Sequence, residues 1–270
     1  MTASTTSPPT MSNLQRAIGN LPYRLQMAGG WIDQPFVSEA NPEPPGSMVV
    51  VSMHPTVRYM ERSGMATGTR RVAEQLWGDE LPSDRPPEEL VRELYEAENE
   101  GLDDPSGSQD MCGLIYPGIS RLDYDASVEG GWFPSHIEST RDPQVVAWLE
   151  RVIHLVPVGS RPDGYDPLET RNMDAGWVAR LGRSGQACYD AIVAMDLAAR
   201  GESLNENSRA WRAILPQIYE HPAIKADLWG LLSGYMAEYP GAMYSGCGGG
   251  YIIVASDDPP AGSARISVRA

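Results

Sequence analysis

Lysine is almost missing from this chain. Lys225 stands alone among 21 basic residues, and the others are arginine. No Gly-Lys-Ser/Thr tripeptide exists, so a phosphate loop of the Walker type is excluded. A mechanism that requires a catalytic lysine has one candidate, and it sits in an ordinary helical stretch. Cysteine is scarce too: Cys112, Cys188 and Cys247 are widely spaced and odd in number. That excludes a disulfide framework and points to a reducing compartment. No two cysteines are near enough for a zinc motif, and His54, His136, His154 and His221 are scattered, so they read as structural or surface groups. Long apolar runs are absent; Met48 to Val51 and Tyr251 to Ala255 are far too short to cross a bilayer. The amino-terminal stretch Met1 to Thr10 has neither a basic start nor an apolar segment. Residues 1–12 therefore read as a disordered tail, and the expected location is cytoplasmic. Positive charge is in deficit as well. The formal net charge of −15 creates a field that repels nucleic acid and anionic membrane. A nucleotide would be repelled too, unless its site is locally positive or holds a metal.

What is present suffices for a sizeable core. The chain has 270 residues, 41% of them apolar, enough for one large domain or two intimately packed ones. Tyr23 to Ala28 reads as a short strand running into Gly29-Gly30, and Met48 to Ser52 as a second strand. Thr67 to Trp77 has helical spacing, with Val72, Ala73, Leu76 and Trp77 on one face and Gly78 as its stop. Arg85 to Asn99 is a further helix, opened by Pro86-Pro87 and closed by Gly101. Leu114 to Tyr124 and Val152 to Val158 read as strands. Asp174 to Ala199, Asn205 to Tyr219 and Ala223 to Glu238 form a helical block, and Tyr251 to Val254 and Ala264 to Val268 close the chain as strands. Without a regular βαβ rhythm the class is α+β. The turn-rich segment Gly159 to Asp166 is the expected boundary between a lobe over 13–158 and one over 159–270.

Three glycine motifs and one carboxylate pair carry chemistry. The first runs from Arg24 through Gly29-Gly30 to Asp33: paired glycines let backbone approach a ligand, and an acid accepts hydroxyl hydrogen bonds. A tight turn with a solvated Asp is the plainer alternative. The second, Arg62-Ser63-Gly64-Met65-Ala66-Thr67-Gly68-Thr69-Arg70-Arg71, leads into a helix and offers free amide N–H groups with local positive charge, an anion site. An ordinary capped helix with solvated arginines is the alternative. In the third, Gly246-Cys247-Gly248-Gly249-Gly250 runs straight into an apolar strand, so it is a closely packed turn and not a linker. Between them, Pro105-Ser106-Gly107-Ser108-Gln109-Asp110 follows the acidic helix end Glu96, Glu98 and Glu100. A helix-borne and a turn-borne carboxylate close in sequence can divide metal binding and proton abstraction.

Order and detail together resemble the GHMP kinases, the superfamily of galacto-, homoserine, mevalonate and phosphomevalonate kinases. The likeness is to the branch with heptose-phosphate and fucose kinases. Arg24 and Asp33 match the opening motif, Gly64 to Thr69 the phosphate loop and Gly107 to Met111 the Gly-Lys-Gln-Asp-Gln turn. Ser160-Arg161 matches a strand ending in Ser-Arg, and Gly246 to Gly250 the third motif. The resemblance implies a two-lobed α+β fold with an N-terminal mixed α/β, ribosomal-protein-like lobe and a C-terminal ferredoxin-like lobe. It implies ATP and magnesium as cofactors, a sugar or sugar phosphate as substrate, and admits a homodimer. In its terms Asp110 is the general base or an orienting group, and Arg24 stabilises developing charge. Ser63, Gly64, Met65, Ala66, Thr67, Gly68, Thr69 and Arg70 bind the nucleotide phosphates. Gly29, Gly30, Asp33, Gly246, Gly248 and Gly249 border the substrate, and Glu98 with Thr67 or Thr69 holds the metal. Two departures stand out. The stretch from Asp33 to Gly64 is short, so part of the nucleotide-base pocket is expected to be missing or rebuilt. Ala66 replaces a glycine and Gly68 a serine. A non-catalytic binding or regulatory protein, and a kinase for an amino-acid or isoprenoid alcohol, are the competing readings.

Overall fold

The computed structural model describes residues 18–270; the expected tail over 1–12 lies outside them. Within them two four-stranded antiparallel sheets organise the chain. The first consists of β1 (Tyr23–Gln26), β2 (Gly46–Met53), β3 (Ile119–Tyr124) and β4 (His136–Thr140), in that order. The second is ordered β6-β7-β5-β8, from β5 (Ile153–Gly159), β6 (Gly241–Gly246), β7 (Gly249–Ala255) and β8 (Ala264–Arg265). Counted from β5, that is the strand order of a ferredoxin-like sheet. The helices are α1 (Pro35–Ser38), α2 (Thr67–Trp77), α3 (Pro87–Asn99), α4 (Gln109–Ile115), α5 (Pro143–Val152), α6 (Ala175–Val193), α7 (Leu197–Ile214), α8 (Gln217–Glu220) and α9 (Leu228–Glu238). The crossover from β5 to β6 carries α6 to α9, whereas the one from β7 to β8 has no helix.

The strand β2 reads Gly-Ser-Met-Val-Val-Val-Ser-Met, and all of it is buried. An apolar run of this kind suits a strand covered on both faces, and α4 and α6 both pack on it. In the short stretch between Asp33 and Gly64, α1 and β2 are the regular elements, so β1 pairs directly with β2. The loop after Gly159 follows β5, which belongs to the second sheet, while α6 beyond it packs on the first. One hydrophobic core runs through both, from Leu25 and Val51 to Ile192, Trp211 and Ile253.

Three expectations are corrected. The strand expected over Leu114 to Tyr124 starts only at Ile119, because Leu114 and Ile115 end α4. The helix expected over Asp174 to Ala199 breaks after Val193: Met195 takes a positive φ of 54°, and Asp196 caps the next helix by accepting from the Ala199 N–H. The last strand is two residues long. Beyond it the chain returns to the first sheet, where Val268 bridges to Met53 and Arg269 donates its N–H to Ser52. The Arg269 guanidinium also takes the carbonyls of Leu114 and Ile115, which ties down the carboxyl end of α4.

Candidate active site

The helix α2 begins at Thr67 with no side-chain cap, so its first-turn N–H groups lack a capping acceptor. Ala66 just before it has φ 54° and ψ 34°, in the left-handed region. The alanine thus adopts the strained conformation that its substitution for glycine made costly. Gly64 has φ +75°, and a Cβ there would stand 2.3 Å from the Ser245 carbonyl oxygen. The loop and the third motif touch backbone to backbone, and only glycine fits. The Ser245 hydroxyl donates to the Ser63 carbonyl at 2.6 Å and accepts the Tyr251 N–H at 3.0 Å, locking the contact. The third motif itself is the tip of the β6–β7 hairpin, in which Gly246 pairs with Gly249.

Four side chains from four elements converge beside this turn. Arg24, buried on β1, donates one guanidinium nitrogen to Asp110 Oδ1 and another to the Gly64 carbonyl at 3.3 Å. Burial lowers its pKa to about 10, against the opposing pull of Asp33. Asp110 stands at the start of α4. From α2, the Thr69 hydroxyl lies 3.0 Å from Glu98 Oε1 and 3.4 Å from Asp110 Oδ2, linking the two carboxylates. Of the acids at the end of α3, Glu98 reaches the site, while Glu96 and Glu100 face solvent. Burial raises the Glu98 pKa, partly offset by the Thr69 hydrogen bond. Glu98 Oε2 is buried with no hydrogen-bond partner. An orphaned carboxylate oxygen is what a bound cation would satisfy, so the residues fit a metal.

Asp33 behaves otherwise. It is fully buried under the turn that precedes Asp110, so close that a Cβ on Gly107 would stand 2.0 Å from its Oδ2. Its carboxylate accepts the Gln109 N–H at 3.4 Å and the Gln109 side-chain amide at 3.0 Å, which anchors the start of α4. Burial pushes its pKa up to about 6, opposed first by the Gln109 backbone hydrogen bond and then by Arg24.

Three cavities border this arrangement and share lining residues. One of about 240 Å³ is walled by Gly64, Ala66, Thr67, Gly68 and Thr69 of the loop, together with Arg24, Glu98 and Asp110. A second of about 160 Å³ shares Arg24, Gly64, Asp110 and Arg161 with the first and extends to Trp31, Gln34 and Gly246. A third of about 370 Å³ shares Thr67 and Arg71 with the first and opens between Tyr23, Arg58 and Glu61. Other expected residues support the walls from behind. Ser63 bonds the Met60 carbonyl, Met65 is core, and Arg70 turns back to the carbonyls of Ile18 and Leu21. Gly29 donates its N–H to Asn207, and Gly30 accepts from the Trp211 indole at 2.9 Å. Gly248 donates to the Ile218 carbonyl, and Gly249 sits in the hairpin beside it.

Two groups of residues escaped the sequence reading. Asn207 and Trp211 on α7 clamp the Gly29-Gly30 turn; Trp211 reads as core from its spacing, and it is core, but its indole N–H has this second task. Arg161 lines both the loop cavity and its smaller neighbour. Its signal was the strand ending in Ser-Arg. That signal carried no indication of where the side chain would stand.

No protein-family model matches the chain, and no curated protein matches it. Solved structures do match. A galactokinase from Lactococcus lactis, solved with galactose, is 12% identical with a TM-score of 0.58, covering 93% of each chain. A D-glycero-D-manno-heptose 1-phosphate kinase from Bacteriodes thetaiotaomicron is 12% identical with a TM-score of 0.53, over 93% of this chain and 96% of that one. A mevalonate kinase is 9% identical with a TM-score of 0.51, over 88% and 90%. The chain has the fold of the GHMP kinases.

Proposed function

We propose that this chain is an ATP- and magnesium-dependent kinase that phosphorylates a hydroxyl of a sugar or sugar phosphate. The observation that carries the reading is a set of three neighbouring cavities that share lining residues, with the uncapped start of α2 in the wall of one and the Arg24–Asp110 pair in the walls of both that one and the smallest. A nucleoside triphosphate has that layout. Its base end fits the cavity at Tyr23, Arg58 and Glu61, and its phosphates fit the N–H groups of Thr67 to Thr69. The hydroxyl to be phosphorylated then enters from the side of Trp31 and Gln34. The cavity taken for the base has polar walls, among them Arg58, Glu61 and Arg70.

Phosphoryl transfer depends mostly on positioning and charge neutralisation. Asp110 accepts the proton of the attacking hydroxyl on Oδ2, the oxygen not committed to Arg24. As the carboxylate is neutralised, the Arg24 cation is released from its pairing and serves the charge that builds on the transferred group. Thr69 keeps Asp110 and Glu98 in register. Glu98 and the Thr69 hydroxyl would hold magnesium, with Thr67 alongside, and the ion would neutralise the phosphate oxygens. Among the described residues no three His, Cys, Asp or Glu side chains converge, so phosphate and water would complete its shell.

The test is ADP release from ATP and magnesium with a panel of sugars and sugar phosphates. Acceptor-dependent ADP is expected, and Asp110→Asn should cut the rate by about a hundredfold or more while nucleotide affinity holds. Nucleotide binding without ADP from any acceptor would leave the non-catalytic reading standing. An undiminished rate in Asp110→Asn would remove that residue from the chemistry.

A further inference from the structure

The turn from Gly29 to Gln34 carries a strain that closing the chain does not require. Trp31 sits at φ 79°, in the left-handed region that bulky side chains avoid. Such a conformation persists only where the surroundings impose it. Here three hydrogen bonds do so. Asn207 Oδ1 accepts the Gly29 N–H at 2.8 Å, the Trp211 indole donates to the Gly30 carbonyl at 2.9 Å, and the Trp31 carbonyl accepts the Gln34 N–H at 3.0 Å. Glycine or asparagine would close the same turn at less cost. The turn alone therefore does not account for an indole at this position.

The ring is pinned as firmly as the backbone. Its N–H donates to Cys247 Sγ at 3.1 Å, in the tip of the β6–β7 hairpin, and the Phe36 ring stands tilted 6.4 Å away. Trp31 is only partly buried, and it lines the smallest cavity. It lines neither of the other two, so unlike Arg24 and Asp110 it belongs to the side away from the phosphate loop. With its one N–H spent on Cys247, the indole offers the cavity no donor, only π surface. That surface takes up apolar C–H groups and does nothing for a hydroxyl. The other walls are polar, among them Gln34, Ser106, Asp110 and Arg161. A pyranose ring has the matching character, with C–H bonds on a face and hydroxyls around its rim.

We infer that Trp31 is the platform on which the acceptor lies, and that the acceptor is a ring sugar whose C–H face stacks on the indole. This rests on the kinase reading, which places the acceptor in this cavity. The volume of about 160 Å³ limits the occupant to a molecule of about monosaccharide size. Because turn and ring are fixed before the ligand arrives, stacking a rigid ring on them costs little ordering. A flexible chain alcohol has no such face to present, so the platform separates a sugar from an isoprenoid or amino-acid alcohol.

The experiment is ADP release by the full chain with magnesium and ATP, using galactose, mannose, fucose and mannose 6-phosphate as acceptors. The open-chain alditol of each serves as a competing inhibitor. For the sugar that turns over, its KM should lie well below the inhibition constant of its alditol. Trp31→Asn keeps the left-handed backbone and removes the ring. It should raise the sugar KM about tenfold while leaving the alditol constant and the KM for ATP unchanged. Trp31→Phe, which restores a ring without the N–H, should fall between. An unchanged sugar KM in Trp31→Asn would overturn the inference. So would equal losses for sugar, alditol and ATP, which would mark Trp31 as structural. If no sugar yields ADP, the kinase reading is lost, and calorimetric titration of the same sugars into the parent and Trp31→Asn decides the platform alone. Weaker binding by the variant would uphold it, and equal binding or none would overturn it.

Discussion

Replacing Asp33 by asparagine should remove a pH-dependent part of the stability that can be worked out from its surroundings. The carboxyl is fully buried among Gln109, Arg24, Cys112 and Tyr124, and burial holds its pKa up at about 6. Protonation is thus favoured in the folded chain more than in the unfolded one. Asp33 contributes most below the ordinary carboxylate range, and its contribution is lost as pH rises through about 6. The gap between the two states corresponds to a few kcal/mol in all, of which about 1 kcal/mol falls between about pH 5 and pH 8. The asparagine side chain keeps the steric fit, and Gln109 can turn its amide to offer Oε1, which is buried without a partner in the native chain. Urea unfolding of Asp33→Asn and the parent, followed by tryptophan fluorescence across this pH range, gives both stability curves. Their difference should change, to the disadvantage of the parent, by about 1 kcal/mol as pH rises. Parallel curves would show that Asp33 ionises as freely as a surface acid, and that the account of its burial is wrong.

Ala66→Gly should stabilise the chain by about 1 kcal/mol, because it relieves a Cβ in the left-handed region; urea midpoints measure it. Gly68→Ser should be tolerated with an unchanged midpoint, since a Cβ there meets nothing within 4 Å. Gly64→Ala should destabilise by about 3 kcal/mol or more, as its Cβ would collide with the Ser245 carbonyl at positive φ, and a normal midpoint would refute the backbone contact between loop and hairpin.

Much of the fold could be read where a single period or a strong stop governs the chain. The helix Thr67–Trp77 was legible end to end, because its apolar face repeats and Gly78 halts it. The helix Gln109–Ile115 was not. Seven residues hold barely two turns, and Leu114-Ile115 ahead of Ile119 looks like the start of a strand. The break at Met195 was hidden too, since a non-glycine residue with positive φ leaves no compositional mark. At the site, Arg24, Glu98, Thr69 and Asp110 were legible as residue types in a known order, and they do meet. Whether a carboxylate faces the cavity or the protein interior depends on packing across the sheet. For that reason Asp33 was assigned to substrate and Arg161 was passed over. Neither outcome can be read from spacing alone.

The most direct measurement is a crystal structure of the full chain with magnesium and a non-hydrolysable ATP analogue. The account predicts triphosphate density against the N–H groups of Thr67 to Thr69, a metal touching Glu98 and Thr69, and the base beside Tyr23 and Arg58. Nucleotide bound elsewhere on the chain, or a triphosphate turned away from the Arg24–Asp110 pair, would contradict it.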